Sequence, residues 1–361
     1  MLPETMKAVV AYSKDDYRYT TVPTPRAEGK DIILKVEACG VCAGDIKCQQ
    51  GGFRFWGGEG NPAYAEPPFI PGHELLGFVA EVGPDYDGPF KVGDRITTEQ
   101  IVPCGKCRYC REGKWWLCDP HNVYGFKYFL NGGFAEYVRL PENSINYAVP
   151  VDLPVDQAVL IEPFACAMHA VDRARIEEGD IVAVAGAGTL GLGMIACMAQ
   201  KGHGNIRPKT IISIEPDPKK RELALNLGAD IAIPAWTQDG LPDFIAEMTE
   251  NCGVDVYIDA SGHTASISQG LQLIRKGGRF VEMSVFPGPA NIDWSIIGDA
   301  KELDLYGSSL SPNCYPRIIE GISDGSIGTA GVLTHVLPLS DFAEAFAIAK
   351  RGESVKIALK P

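Results

Sequence analysis

The sequence predicts an α/β protein in two parts: a β-rich first lobe, followed by a doubly wound domain with a parallel sheet. Three observations carry this. The chain has 361 residues, enough for two domains of ordinary size. Short runs of branched residues fill the first part, with no sustained helical period before about residue 155. From there helix and strand patterns alternate, the mark of parallel strands joined by helical crossovers.

Taken in order, residues 6–11, 32–39, 75–82 and 135–140 read as strands, mostly bounded by Gly or Pro and separated by long loops. Residues 155–174 read as a helix, 181–185 as a strand and 190–201 as a helix. A strand at 210–214, a helix at 218–227, a strand at 254–259, a helix at 264–275 and a strand at 279–284 continue the alternation. A helix at 341–351 and a strand at 355–359 follow. The uncharged segment 181–199 has the length of a membrane span, but Gly186, Gly188, Gly191 and Gly193 interrupt it. A strand, a glycine loop and a helix are expected there instead.

The net charge of −13 argues against nucleic acid or an anionic membrane as partner and is compatible with a neutral small-molecule substrate. Eleven cysteines, an odd number without a leader peptide, point to a reducing compartment, the cytoplasm. Four of them, Cys104, Cys107, Cys110 and Cys118, are spaced Cys-x2-Cys-x2-Cys-x7-Cys in a loop rich in Lys and Arg. Four thiolates so close in sequence can surround one tetrahedral Zn²⁺ at about 2.3 Å each. The set is closed, so such a zinc would be structural, and the local basic residues are expected to help keep the thiols deprotonated. The alternative, two disulfides in a surface loop, fits a reducing compartment less well.

Gly186-Ala187-Gly188-Thr189-Leu190-Gly191 follows an apolar strand and opens an apolar helix. In that context G-x-G-x-x-G is a dinucleotide fingerprint: a tight turn, a close backbone approach to the pyrophosphate, and tight packing of helix on strand. Glu215 ends the next strand, 24 residues after Gly191, where a carboxylate meets the adenosine ribose and repels a 2′-phosphate. This favours NAD over NADP. Lys219, Lys220 and Arg221 lie nearby and read as a solvated start of a helix.

These motifs, with Cys39-Gly40-Val41-Cys42-Ala43-Gly44-Asp45, Pro71-Gly72-His73-Glu74 and Ile161-Glu162-Pro163-Phe164-Ala165-Cys166, resemble the zinc-dependent medium-chain alcohol and polyol dehydrogenases along almost the whole chain. The resemblance implies a GroES-like catalytic domain at 1–162, a Rossmann NAD-binding domain at 163–302, and a return to the catalytic domain at 303–361. It implies a catalytic zinc held by Cys42, His73, Glu74 and Glu162, with Asp45 orienting the His73 ring and Cys166 as the rival of Glu162. Taken singly, Cys42 also reads as a buried thiol, His73 as a satisfied turn histidine and Glu162 as a surface charge at a helix bend.

The implied reaction is hydride transfer from a secondary alcohol to NAD, with zinc as Lewis acid. Gly44 departs from the family, where Ser or Thr passes the alcohol proton towards solvent; Glu74, water or Lys47 would then serve. An aromatic, glycine-rich loop, Phe53-Arg54-Phe55-Trp56-Gly57-Gly58 with Asn61-Pro62-Ala63-Tyr64, reads equally as a pocket wall beside the zinc or as a subunit contact. That loop, Ile101-Val102-Pro103-Cys104, Tyr124-Gly125-Phe126-Lys127 and Asp293-Trp294-Ser295-Ile296-Ile297 resemble bacterial erythritol and threitol dehydrogenases. A short sugar alcohol is therefore the expected substrate and a ketose the product. Sorbitol, iditol or a vicinal diol is the alternative, and a non-catalytic NAD-binding redox sensor is a different class of reading. Relatives of this kind are commonly homodimers or homotetramers.

Overall fold

The computed structural model describes residues 1–58, 60–200, 206–234 and 240–361; Lys201, at the end of an expected helix, and His203 lie outside them. The described residues form two units, Met1–Glu162 with Leu333–Pro361, and Pro163–Val332.

In the first unit, branched and apolar residues build a mostly antiparallel sheet. Ile32–Val41 is its central strand, pairing with Glu74–Val82, Tyr137–Leu140 and Lys356–Lys360. Arg95–Thr98 and then Asn146–Ala148 extend it beyond Glu74–Val82. These two strands have four and three residues, too short for alternation to reveal them in sequence. On the other side Leu333–Pro338 lies parallel to Lys356–Lys360, with the helix Phe342–Arg351 between them in the chain. A hairpin of Thr5–Ser13 and Asp16–Pro23 stands apart as a two-stranded sheet. The core gathers Val9, Leu34, Cys39, Leu75, Ile96, Phe134 and Leu359, all 1% exposed or less.

Among its described residues the second unit holds six parallel strands: Ile231–Ile233, Thr210–Ile214, Ile181–Ala185, Val254–Asp259, Ile274–Glu282 and Asp304–Gly307, in that spatial order. Numbered along the chain this is 3-2-1-4-5-6, the Rossmann order, whose switch point lies between Ile181–Ala185 and Val254–Asp259. The run expected as one helix at 155–174 is two, Val155–Ala158 and Ile161–Ala174. Pro163, lacking an N–H, is tolerated only in a first turn, so the second helix starts just before it. The return segment, expected from 303, begins in the structure at Leu333. Asp304–Gly307, largely exposed and only four residues long, pairs in parallel with Ile274–Glu282 and so belongs to the Rossmann sheet. No helix among the described residues is long and apolar enough to cross a membrane.

Candidate functional site

In the first unit the strand Ile32–Val41 runs into Cys42, the N-cap of the helix Ala43–Gln49. The cap is reciprocal: Gly44 N donates to Cys42 Sγ at 3.3 Å and Cys42 N donates to Asp45 Oδ2 at 2.9 Å. This fixes the thiol at a helix N-terminus and tucks Asp45 beneath it. His73 precedes the strand Glu74–Val82, which pairs with Ile32–Val41 so that Glu74 lies opposite Gly40. One ligand atom each of Cys42, His73 and Glu74 lies within 4.8 Å of the other two. Asp45 Oδ1 faces His73 Nδ1 at 3.7 Å, and both atoms are buried with no hydrogen-bond partner among the described residues.

Glu74 has a partner that the sequence reading missed. Lys356 Nζ donates to its two carboxylate oxygens at 2.6 and 2.7 Å and to the Val41 carbonyl at 3.1 Å. Both side chains are almost fully buried. Gly40 makes the contact feasible, because a Cβ there would lie 1.9 Å from Glu74 Oε2. Burial works against the Lys356 ammonium, but Glu74 and Cys42 outweigh it and hold its pKa above the ordinary value. Burial pushes the Cys42 thiol far up, with Glu74 adding to the effect and Lys356 opposing it. Asp45 is also raised by burial, and His73 opposes the shift.

Glu162 is 5% exposed at the start of Ile161–Ala174. It stands outside the three converging residues, although its charge adds to the rise of the Cys42 thiol. Cys166 is buried on the same helix, within the second unit. Gly44 is not imposed by crowding: a Cβ there would make ordinary contacts with Cys42 Sγ at 3.6 Å and His73 Cε1 at 4.0 Å. Lys47, one turn along, is half-buried; burial lowers its pKa while Cys42 opposes the shift. The aromatic loop packs within its own unit. Phe55 stacks on Phe126 at 5.3 Å, Tyr64 lies 5.7 Å from Phe126, and Phe126 lies 5.6 Å from the His73 ring.

A thiol, an imidazole and a carboxylate are a donor set suited to Zn²⁺. The pair of orphaned atoms, His73 Nδ1 and Asp45 Oδ1, suits a ligand histidine whose other nitrogen is turned to a metal. The residues present therefore fit a zinc ion.

The second cluster lies in the loop after Arg95–Thr98. The sulfurs of Cys104, Cys107, Cys110 and Cys118 lie within 4.8 Å of one another. Short helices at Arg108–Arg111 and Trp115–Leu117 fold the loop, and all eleven cysteines are thiols rather than disulfides. Cys107 is pulled down to about 6 by the backbone N–H groups of Cys110 and Asp119, and Cys104 is lowered by those of Lys106 and Cys107. Three of the basic side chains expected to do this are engaged elsewhere: Arg108 and Lys114 with Glu112, and Arg111 with the Lys106 carbonyl. Backbone N–H groups thus lower Cys104 and Cys107, while burial raises Cys110 and Cys118.

In the second unit, the glycine loop leaves Ile181–Ala185 at the switch point. Gly186 adopts φ 93° and donates its N–H to the Ile214 carbonyl. A Cβ on Gly191 would lie 1.9 Å from the Gly186 carbonyl oxygen, so only glycine lets the helix close on the turn. Gly188 caps the helix Thr189–Ala199, and Thr189 and Leu190 form its first turn. Glu215 is buried at the end of the second strand and accepts from Ala187 N at 2.7 Å and Asp217 N at 3.0 Å. Arg221, expected on a solvated face, instead donates to the carbonyls of Glu215 and Pro216.

A GroES-like β unit carrying a thiol–imidazole–carboxylate convergence, with a Rossmann unit bearing a dinucleotide turn, defines a nucleotide-dependent oxidoreductase. The family signature of the alcohol dehydrogenase GroES-like domain matches residues 28–152, and that of the zinc-binding dehydrogenases matches 191–324. The erythritol/L-threitol dehydrogenase of Mycolicibacterium smegmatis is 42% identical over 100% of this chain and 99% of its own. Among solved structures, a zinc-binding dehydrogenase from Sinorhizobium meliloti 1021 bound to NADP has a TM-score of 0.87 at 28% identity, covering 99% of this chain and 100% of that one. A short chain alcohol dehydrogenase from E. coli CFT073 complexed with NADH has a TM-score of 0.86 at 26% identity, with the same coverage. The chain belongs to the zinc-binding medium-chain alcohol and polyol dehydrogenase family, and it is a dehydrogenase.

Proposed function

We propose that this enzyme oxidises a secondary hydroxyl of a short sugar alcohol, erythritol or threitol, to the corresponding ketose with NAD as hydride acceptor. The convergence of Cys42 with the buried His73 and Glu74 carries the chemical part of this reading. The full-length likeness to an erythritol/L-threitol dehydrogenase supports the substrate class.

Cys42 and His73 hold the catalytic zinc, with Glu74 and Glu162 as the carboxylate ligands. Bound there, zinc supplies the Lewis acidity that makes a substrate hydroxyl a better hydride donor. Asp45 faces His73 Nδ1 at 3.7 Å, so it bears on the ring by charge and not through a hydrogen bond. Lys356 balances Glu74, so the buried site does not carry an uncompensated carboxylate before substrate arrives. Gly44 brings no hydroxyl, so the alcohol proton leaves through water, Glu74 or Lys47. Cys104, Cys107, Cys110 and Cys118 hold a structural zinc. Gly186, Gly188, Thr189, Leu190 and Gly191 bind the NAD pyrophosphate, and Glu215 favours NAD by repelling a 2′-phosphate. The enzyme acts as a cytoplasmic homodimer or homotetramer.

NADH formation by zinc-loaded protein across tetritols, pentitols, hexitols, butanediol and simple alcohols tests this. Strong turnover confined to a tetritol is expected. Turnover confined to sorbitol, iditol or a vicinal diol would move the substrate to that class. Silence across the panel with zinc and NAD bound would favour the redox-sensor reading.

A further inference from the structure

The His73 imidazole is touched from two directions. Asp45 approaches its Nδ1 edge at 3.7 Å, and the Phe126 ring lies against it with centroids 5.6 Å apart and planes inclined by 34°. Phe126 is itself the hub of an aromatic cluster. Phe55 stacks on it at 5.3 Å and 23°, Tyr64 lies at 5.7 Å and Phe69 at 6.4 Å. The cluster is tied at its margins to other segments of the same unit. Trp56 packs on Phe69 and donates its Nε1–H to the Cys48 carbonyl at 2.7 Å, on the helix capped by Cys42. Tyr64 donates to the His121 carbonyl at 2.7 Å and accepts from Val123 N at 3.3 Å.

A metal-ligating imidazole needs its plane held, because rotation about its side-chain bonds swings the ligand nitrogen off the metal. At most other sites a hydrogen bond does this. Here Asp45 Oδ1 and His73 Nδ1 are beyond hydrogen-bond distance, and neither has another hydrogen-bond partner among the described residues. The flat ring of Phe126 lies against the imidazole and is itself packed by Phe55 and Tyr64.

We propose that Phe126 is a positioning residue for His73, and that the aromatic loop backs Phe126 through Phe55 and Tyr64. This rests on His73 being a metal ligand. Phe55 and Tyr64 then act on the metal centre through a chain of ring contacts and tune metal retention.

The test loads full-length wild type, Phe126→Ala, Phe126→Leu and Phe55→Ala with Co²⁺. It records the visible spectrum of each and the rate at which a chelator removes each ion. Far-UV circular dichroism and cooperative thermal unfolding report whether a variant is folded. Phe126→Ala is expected to hold the second cobalt about ten-fold less tightly, within the range for partners of metal ligands, and to show altered d–d bands. Phe126→Leu, which keeps bulk but not planarity, should fall between it and wild type. Phe55→Ala, which does not touch His73, should shift the same way by less. Wild-type spectra and release rates in Phe126→Leu and Phe55→Ala, with Phe126→Ala either unchanged or unfolded, would overturn the proposal alone. A wild-type protein that takes up no cobalt beyond the four-cysteine ion would overturn the ligand role of His73 and this proposal with it.

Discussion

The two sulfur-bearing clusters of the first unit differ in construction: backbone N–H groups lower Cys104 and Cys107 of the loop, although burial raises its Cys110 and Cys118. In the four-cysteine loop, backbone N–H groups point at the sulfurs and pull Cys107 down to about 6, with no help from burial. At Cys42, burial drives the thiol the other way, and neighbouring Glu74 adds to the effect. The loop is made within fifteen residues by turns that aim amides inward. The buried cluster is hostile to its own charges, and Lys356 is recruited to make Glu74 tolerable. An anionic metal cradle can thus come from local backbone geometry or from long-range charge balance, and the two should fail differently.

The largest difference should appear on thiol removal. Cys42→Ala is expected to lower polyol turnover by about 10²–10³-fold or more, the several kcal/mol that a Lewis-acid metal supplies, with the fold retained. Cys107→Ala should lose the other metal equivalent and resistance to heat, read by metal content and thermal unfolding. Equal effects of the two substitutions on turnover at equal folded fraction would erase the distinction.

Charge balance is tested next. Lys356→Met leaves the Glu74 carboxylate buried and unpaired, and should cost about 3–5 kcal/mol in urea unfolding. Adding Glu74→Gln should return much of that loss. If Lys356→Met unfolds like wild type, the buried pair is not what stabilises Glu74.

A carboxylate in the second unit sharpens the contrast. Burial and the adjacent Asp259 push Glu282 up to about 8, opposed by the Ser284 N–H. Between its unfolded pKa near 4.5 and this value the folded state holds a proton that the unfolded chain has released, so stability falls as pH rises through that window. Glu282→Gln should remove this decline, so its melting temperature should gain on wild type from pH 5 to pH 9. Parallel pH profiles for the two proteins would show that Glu282 is not strained.

The smallest effect is expected at Gly44. Its absent Cβ would meet only ordinary contacts, so Gly44→Ser should change stability by under about 0.5 kcal/mol. Any change in the pH profile of turnover would then report on proton transfer rather than packing.

What could be read in the sequence follows the same division. The cysteine loop, the glycine turn and the alternation that gives the Rossmann sheet are local, and spacing exposes them. Cys42, His73 and Glu74 were legible through flanking motifs. Lys356 was not, because it lies 282 residues from Glu74 and only strand pairing across Gly40 brings them together. Phe126 was visible only as part of a resembling segment, since nothing in its spacing marks a ring against His73. Asp304–Gly307 was missed because a short, exposed strand carries no period.

The position of Lys356 also sets an order of events during synthesis. Its strand is made after every residue of the second unit, 163–332, has left the ribosome's catalytic centre. Until then Ile32–Val41 lacks its neighbour on that side, and Glu74 has no ammonium to meet. The Rossmann unit, continuous in the chain, can be complete while the first unit still waits. The Glu74–Lys356 pair, and with it the charge balance of the buried carboxylate, therefore forms last, although Glu74 is made early.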